Sequence, residues 1–341
     1  MKVLIYGAGA LGSLAGALLH DRAEVELLGR DPHMAAVTAG GLRVSGLVDR
    51  HLPLTARTDP GEALVRQPEL VILSVKAWDT VQAVTELRRH WSPGGTILSL
   101  QNGLGNLDAV SALGAPEWNI LGGTTGMGAY LAGPGEVVYA GGGATRLGAW
   151  RRAGALGEAD AGGQGGADPG GEGAGDGGRG GRGARTTGGG PGLDDVVALL
   201  SSSGFEVSAV DDLEAELWAK LIVNASINPL MAVTGHRNGY LLREGSILEV
   251  SRAVCLEAAA VAHARGMGMD PDAMWARVKE VITRTAENKC SMLQDVERGR
   301  QTEVDSITGE IVKIGKERGV ETPVNAALWA LMKGLEPGSH L

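Results

Sequence analysis

Cysteine is close to absent: Cys255 and Cys290 are the only two in 341 residues. Neither stands in a C-x-x-C pair, which excludes a disulfide scaffold and a cysteine zinc site. Two unpaired thiols fit a reducing compartment, so a cytoplasmic protein is expected. The seven histidines show no H-x-x-x-H spacing, and no metal site is expected. Positive charge is in deficit, with 31 Lys and Arg against 40 Asp and Glu, a net charge of −9. A surface of that sign argues against nucleic acid or an anionic membrane as partner. There is no G-x-S-x-G elbow, so serine hydrolase chemistry has no support. Internal repeats and sustained heptads are also missing. Apolar runs are short apart from Val3 to Leu19, which carries no charge. A secretory signal can look like this. Two features oppose it: four glycines interrupt the run, and His20-Asp21-Arg22 follows instead of a small-x-small cleavage site. No other stretch is long and apolar enough to span a membrane.

What remains is a chain able to fold. Hydrophobic residues make up 43% and charged residues 21%, enough to bury a core, and the length fits two domains. Residues 3–6 (VLIY), 24–28 (EVELL), 69–75 (ELVILSV) and 96–100 (TILSL) read as strands, and residues 10–20 and 79–89 as helices. Strand alternating with helix implies a parallel sheet covered on both faces. Residues 119–148 carry turn signals between short apolar runs, which predicts an antiparallel extension of that sheet.

Glycine is abundant, at 55 residues, and most of the excess is local. Within 154–192, 19 of 39 residues are glycine and Leu156 is the only large apolar side chain. A segment with so little to bury does not offset its ordering entropy, so a disordered insertion over about 152–192 is expected. Helical and strand-like sequence resumes at 194–203 and 205–210, which places the insertion inside a first domain, residues 1–211. From Asp212 the period becomes helical, with apolar residues at three and four spacings in 213–233, 246–265, 272–297 and 303–318. Residues 212–341 therefore read as an all-helical second domain.

Gly7-Ala8-Gly9-Ala10-Leu11-Gly12 is a G-x-G-x-x-G between a strand and a helix. The first glycine permits the tight turn, the second lets a pyrophosphate approach the backbone, and the third lets helix and strand pack closely. This predicts dinucleotide binding. The second strand ends at Leu28-Gly29-Arg30 rather than at the ribose-binding acid of NAD sites. A guanidinium there suits the 2′-phosphate of NADP. Asp31 weakens that reading unless it begins the next helix ahead of Pro32.

In 212–233, Lys220, Asn224 and Asn228 recur every four residues on an otherwise apolar helix. Steps of four advance about 40°, so they form one stripe. Either the stripe is solvated or it serves a site. Asn288 and Ser291 sit at i and i+3 on a later helix, followed by Glu303. Cys290 reads as a small packed residue, because no partner histidine can be assigned to it.

GAGALGS (7–13), SVKAWDT (74–80), LQNGLGN (100–106), ELWAKLIVNASINPLMAVTG (216–235) and AENKCSMLQDVERGRQTEVDSITGEIV (286–312), in this order, resemble the ketopantoate reductase (2-dehydropantoate 2-reductase) family. The resemblance covers the chain except residues 150–192. It implies a Rossmann-type α/β domain joined to an all-α domain, and NADPH-dependent reduction of ketopantoate to (R)-pantoate in pantothenate biosynthesis. It makes Lys220 the proton donor to the substrate carbonyl. Asn224, Asn228, Asn238, Asn288 and Ser291 become substrate ligands, and Glu303 a cleft residue serving catalysis and cofactor. Lys76, Asn102 and Gly126 join the 7–12 loop and Arg30 around the cofactor. Glu303 would orient Lys220 or hold the substrate hydroxyl. The expected partners are a small-molecule substrate and at most a second copy of the chain. Two features depart from the family: Asp79 stands where glutamine is frequent, and the glycine-rich insertion is foreign to it. Reduction of another small 2-keto acid, or NADP sensing without turnover, are the rival readings.

Overall fold

The computed structural model describes residues 1–150 and 189–338. The glycine-rich insertion falls almost wholly outside the described residues. Its C-terminal margin does not. Thr96 Oγ1 donates to Pro191 O at 2.6 Å and Asn119 Nδ2 to the same carbonyl at 3.1 Å. Residues 189–192 therefore belong to the folded part, and the expected end at 192 moves back.

Among the described residues, twelve strands form two sheets. They are β1 (Lys2–Tyr6), β2 (Glu24–Leu28), β3 (Leu42–Gly46), β4 (Arg50–Leu52), β5 (Thr55–Arg57), β6 (Leu70–Leu73), β7 (Thr96–Ser99), β8 (Asn119–Thr125), β9 (Gly128–Gly133), β10 (Glu136–Gly141), β11 (Thr145–Ala149) and β12 (Val207–Ala209). The main sheet has the order β12-β11-β8-β7-β6-β1-β2-β5. From β8 to β5 its strands are parallel, and β11 turns antiparallel against β8. β12 pairs with β11, so the chain on both sides of residues 151–188 belongs to this sheet.

The antiparallel extension expected over 119–148 is half right. β11 supplies it, but the hairpin β9–β10 leaves the main sheet. β10 pairs in parallel with β3, forming a second sheet of order β4-β3-β10-β9. That pairing joins segments some ninety residues apart, which local turn chemistry does not encode. The second sheet buries Leu42, Val44, Leu52 and Val137 in the cluster that holds the helix Ala10–Leu19.

Along β1, side chains alternate between faces. Val3 and Ile5 join one apolar cluster, and Leu4 and Tyr6 the other. Both faces are covered, as a parallel sheet requires. Strand order reverses around β1, with β2 on one side and β6 on the other. This switch point opens a crevice beyond the carboxyl ends of the strands.

The second half is helical, as expected. Leu213–Thr234 starts at Asp212, whose carboxylate accepts from Ala215 N at 2.9 Å, and ends at Gly235 in the left-handed region. Leu213 packs under the main sheet against Gly122 and Gly148, where larger side chains have no room. Trp218, Ile222 and Met231 enter the core with Val254, Cys255 and Ala258 of Gly245–Ala264. The helix expected over 272–297 is two helices, Pro271–Arg284 and Ser291–Glu297. Asn288 lies in the connection between them, and Cys290 caps the second by accepting from Leu293 N. After Glu303 the chain makes a π-helical turn, Asp305–Gly309, before Glu310–Arg318. A last helix, Pro323–Leu335, was not anticipated. No described helix is long and apolar enough to cross a membrane.

Candidate active site

The loop after β1 is shaped by two close approaches. Gly7 has φ +107°, and a Cβ there would meet Val75 N at 2.4 Å. A Cβ on Gly12 would lie 2.5 Å from Gly7 O and 2.6 Å from Ser74 Oγ, so the helix Ala10–Leu19 can approach β1 and β6 only with glycine there. Gly9 is the contrast: a Cβ would find open space, with its nearest neighbour at 3.9 Å. The backbone there is reachable from outside. No side chain caps the helix N-terminus at Gly9, so its first N–H groups remain available to an anion.

Arg30 follows β2 and is largely exposed. Its Nη2 donates to Asp79 Oδ1 at 2.9 Å. Asp31 also lines the cavity of this pair, but its carboxylate accepts from Ala35 N at 3.0 Å in the first turn of the next helix. This is the local role that frees Arg30 from its neighbour.

Two further loops stand at the strand ends and are tied together. Gln101 Nε2 donates to Val75 O at 3.0 Å and Thr80 Oγ1 at 2.7 Å. From these loops Lys76 and Asn102 reach the helical half. Lys76 Nζ donates to Asp295 Oδ2 at 2.9 Å and to Glu303 Oε2 at 3.3 Å, while Asn102 Nδ2 donates to Glu303 Oε2 at 3.2 Å. Burial favours the neutral amine of Lys76, but the Glu303 and Asp295 carboxylates more than offset it and hold its pKa above the usual lysine value.

Lys220 approaches from the second turn of Leu213–Thr234. It forms no ion pair or side-chain hydrogen bond among the described residues. Burial pushes its pKa down to about 8, with the Glu303 carboxylate pulling in the opposite direction. Glu303 is therefore a field acting on Lys220 rather than its hydrogen-bond partner. Its Oε2 accepts from Lys76 and Asn102, and among the described residues no hydrogen bond joins Glu303 to Lys220.

These groups line one cavity of about 1060 Å³. It brings together Gly7, Ala8, Gly9, Ala10, Leu11, Arg30, Lys76, Asn102, Lys220, Ser291 and Glu303. It does not take in Gly12, Gly126, Asn224, Asn228, Asn238 or Asn288. Gly12 acts through packing. Gly126 is exposed at the end of β8, with Thr125 and Met127 beside it on the wall. Asn224 and Asn228 continue the Lys220 stripe by one and two turns, and Asn228 is buried. Asn238 turns its Nδ2 to Thr285 Oγ1 at 2.9 Å, and its N–H to Asn288 O at 3.1 Å. It holds the connection that leads to Ser291. Asn288 itself is exposed. Cys290 is buried, and burial pushes its thiol up to about 11, as befits a packed residue.

One acid of this cavity escaped the sequence reading, and so did the partner of another. Asp295 is 8% exposed and receives Lys76. The signal for it was spacing, since Asp295 lies one turn after Ser291 on the same helix face. Asp79 was noticed, but not its pairing with Arg30 across 49 residues of sequence.

A doubly covered parallel sheet with a glycine loop at its switch point, facing a lysine on a helical domain, defines a dinucleotide-binding reductase. The family model for ketopantoate reductase PanE/ApbA matches residues 3–152, and the model for its C-terminal part matches residues 212–336. This chain belongs to the ketopantoate reductase PanE/ApbA family. The 2-dehydropantoate 2-reductase of Archaeoglobus fulgidus is 37% identical over 338 residues, covering 99% of this chain and 98% of its own. Among solved structures, the PanE/ApbA family ketopantoate reductase of Ralstonia eutropha JMP134 superposes with a TM-score of 0.80 at 28% identity, covering 98% of each chain. A D-mandelate dehydrogenase solved with NADH reaches a TM-score of 0.78 at 25% identity, again covering 98% of each.

Proposed function

We propose that this protein reduces 2-dehydropantoate to pantoate with NADPH. The observation that carries the reading is the placement of Lys220, a lysine with its pKa near 8, on the same cavity as the Gly7–Leu11 loop. The reading divides the chain at Asp212, with residues 1–211 holding cofactor and 212–341 presenting substrate groups. It also takes the enzyme to be cytoplasmic, and a monomer or homodimer.

The cofactor fits the residues present. Open backbone at Gly9 and the uncapped helix N-terminus suit a pyrophosphate, and Arg30 suits a 2′-phosphate. Lys76 and Asn102 stand at the ends of the next two parallel strands, toward the ribose and nicotinamide. When bound, the cofactor supplies a hydride for the carbonyl carbon of the substrate. Lys220, as an ammonium, stabilises the charge growing on the carbonyl oxygen and donates its proton there. Ser291 offers a hydroxyl to the substrate carboxylate. Asn224 and Asn228 extend the polar stripe into the helical half, while Asn238 and Asn288 hold the segment before Ser291. Glu303 keeps a carboxylate at the seam, where it favours the charged form of Lys220.

The test is the loss of NADPH absorbance with ketopantoate, run beside other 2-oxo acids including the aryl acid that corresponds to mandelate. Ketopantoate should give the highest kcat/KM. A higher value for another 2-oxo acid would replace the substrate and keep the chemistry. Binding of NADPH without turnover of any of them would leave only the sensing reading.

A further inference from the structure

The Arg30–Asp79 pair occupies the place where a cofactor's 2′-position is expected, and it is internally neutral. Arg30 comes from the end of β2 and Asp79 from the turn Ala77–Asp79 after β6. Both line the cofactor cavity, and their side chains meet at 2.9 Å. Arg30 keeps most of its side chain exposed, whereas Asp79 is four-fifths buried. The acid is thus the fixed member of the pair. Its carboxylate does not cap the helix Thr80–His90 that follows it, so local helix stability does not explain its presence.

We infer that Asp79 is a specificity-determining residue that weakens the preference of this site for a 2′-phosphorylated dinucleotide and supports binding of the form with a free 2′-hydroxyl. A phosphate monoester carries about −1.5 to −2 charge at neutral pH. To take Arg30 it must displace a carboxylate already bound there or sit beside it, and like charges in proximity oppose binding. A ribose 2′-hydroxyl meets no such obstacle, because an ionised carboxylate is a hydrogen-bond acceptor suited to it. In NAD sites that acid stands at the end of the second strand. Here the strand end carries Arg30, and the acid arrives from a neighbouring loop, so one subsite holds a group for each cofactor.

This inference rests on the assignment of the cavity to NADPH, and the experiment separates the two. Dissociation constants of NADP⁺ and NAD⁺ are measured by titration calorimetry for the wild type, Asp79→Asn and Arg30→Ala, with kcat/KM for NADPH and NADH alongside. Asp79→Asn keeps the shape and removes the charge. It should tighten NADP⁺, weaken NAD⁺, and raise the ratio of the NAD⁺ to the NADP⁺ dissociation constant by about tenfold to a hundredfold, the range expected for a charge-assisted hydrogen bond. Arg30→Ala should lower the same ratio. A ratio unchanged or lowered in Asp79→Asn overturns the inference. Should Arg30→Ala lower the ratio while Asp79→Asn leaves it unchanged, Asp79 is refuted and the NADPH assignment survives. If neither variant moves the ratio, the 2′-position lies elsewhere and both readings fall.

Discussion

Lys220 shows how a single side chain is prepared for acid chemistry. Burial lowers its pKa from the ordinary lysine range to about 8, and Glu303 resists that fall. A general acid works best when its pKa lies near the working pH. Lys220→Ala should lower kcat about 10²–10⁴-fold, the usual contribution of a positioned acid, while NADPH binding persists. A kcat within about threefold of wild type at saturating ketopantoate would remove Lys220 from the mechanism. The pKa sets a second expectation. Below about pH 8 the ammonium carries the proton to be donated, and above it the amine does not. The kcat/KM for reduction should therefore fall as pH rises through about 8. Because Glu303 favours the ammonium, Glu303→Gln should move that fall to lower pH. An alkaline limb that stays in place would show that Lys220 does not titrate in this profile.

At the scale of elements, the turn from β1 into Ala10–Leu19 depends on absent side chains. A Cβ on Gly12 would sit 2.5 Å from Gly7 O, a backbone atom held by the strand. Gly12→Ala must push the helix away from β1, at about 1–3 kcal/mol for overpacking. The lower melting temperature and the weaker NADP⁺ binding should appear together, because one displacement causes both. Unchanged values of both would show that the helix adjusts freely. This turn was legible in the sequence, since glycine spacing states a steric requirement directly. The central strands were also legible, as short apolar runs, and the helix 213–233 from apolar residues three and four apart. The destination of β9–β10 was not. A hairpin is a local event, but the parallel pairing of β10 with β3 depends on which distant edge is free. The break between Arg284 and Ser291 was missed for a related reason: apolar spacing continues through it, while the Asn238 contacts that fix it come from the connection after Leu213–Thr234.

At the scale of the whole molecule, the candidate site is a seam. Its side chains were legible one by one, but their partners were not, because Lys76 and Asp295 stand 219 residues apart. Gly103 and Leu104 also meet the helical half at this seam, with Leu104 N donating to Ser306 O at 3.0 Å. Lys76 thus serves two ends, closing the two halves on each other and occupying the cofactor cavity. Asp295 and Glu303 are 8% and 7% exposed, so removal of Lys76 leaves two carboxylates facing each other with little water. Breaking a fully buried pair in this way costs about 3–5 kcal/mol. Lys76 is itself 38% exposed, so the smaller penalty of an unsatisfied polar group applies, about 1–3 kcal/mol. Lys76→Met should lower the unfolding free energy by that amount. Lys76→Met with Asp295→Asn should recover part of it, because the second change removes one of the stranded charges. Additive losses in the double variant, measured by urea unfolding, would mean that the pair does not couple the two halves. Recovery of stability without recovery of NADPH affinity would separate the two duties of Lys76, one to the seam and one to the cofactor.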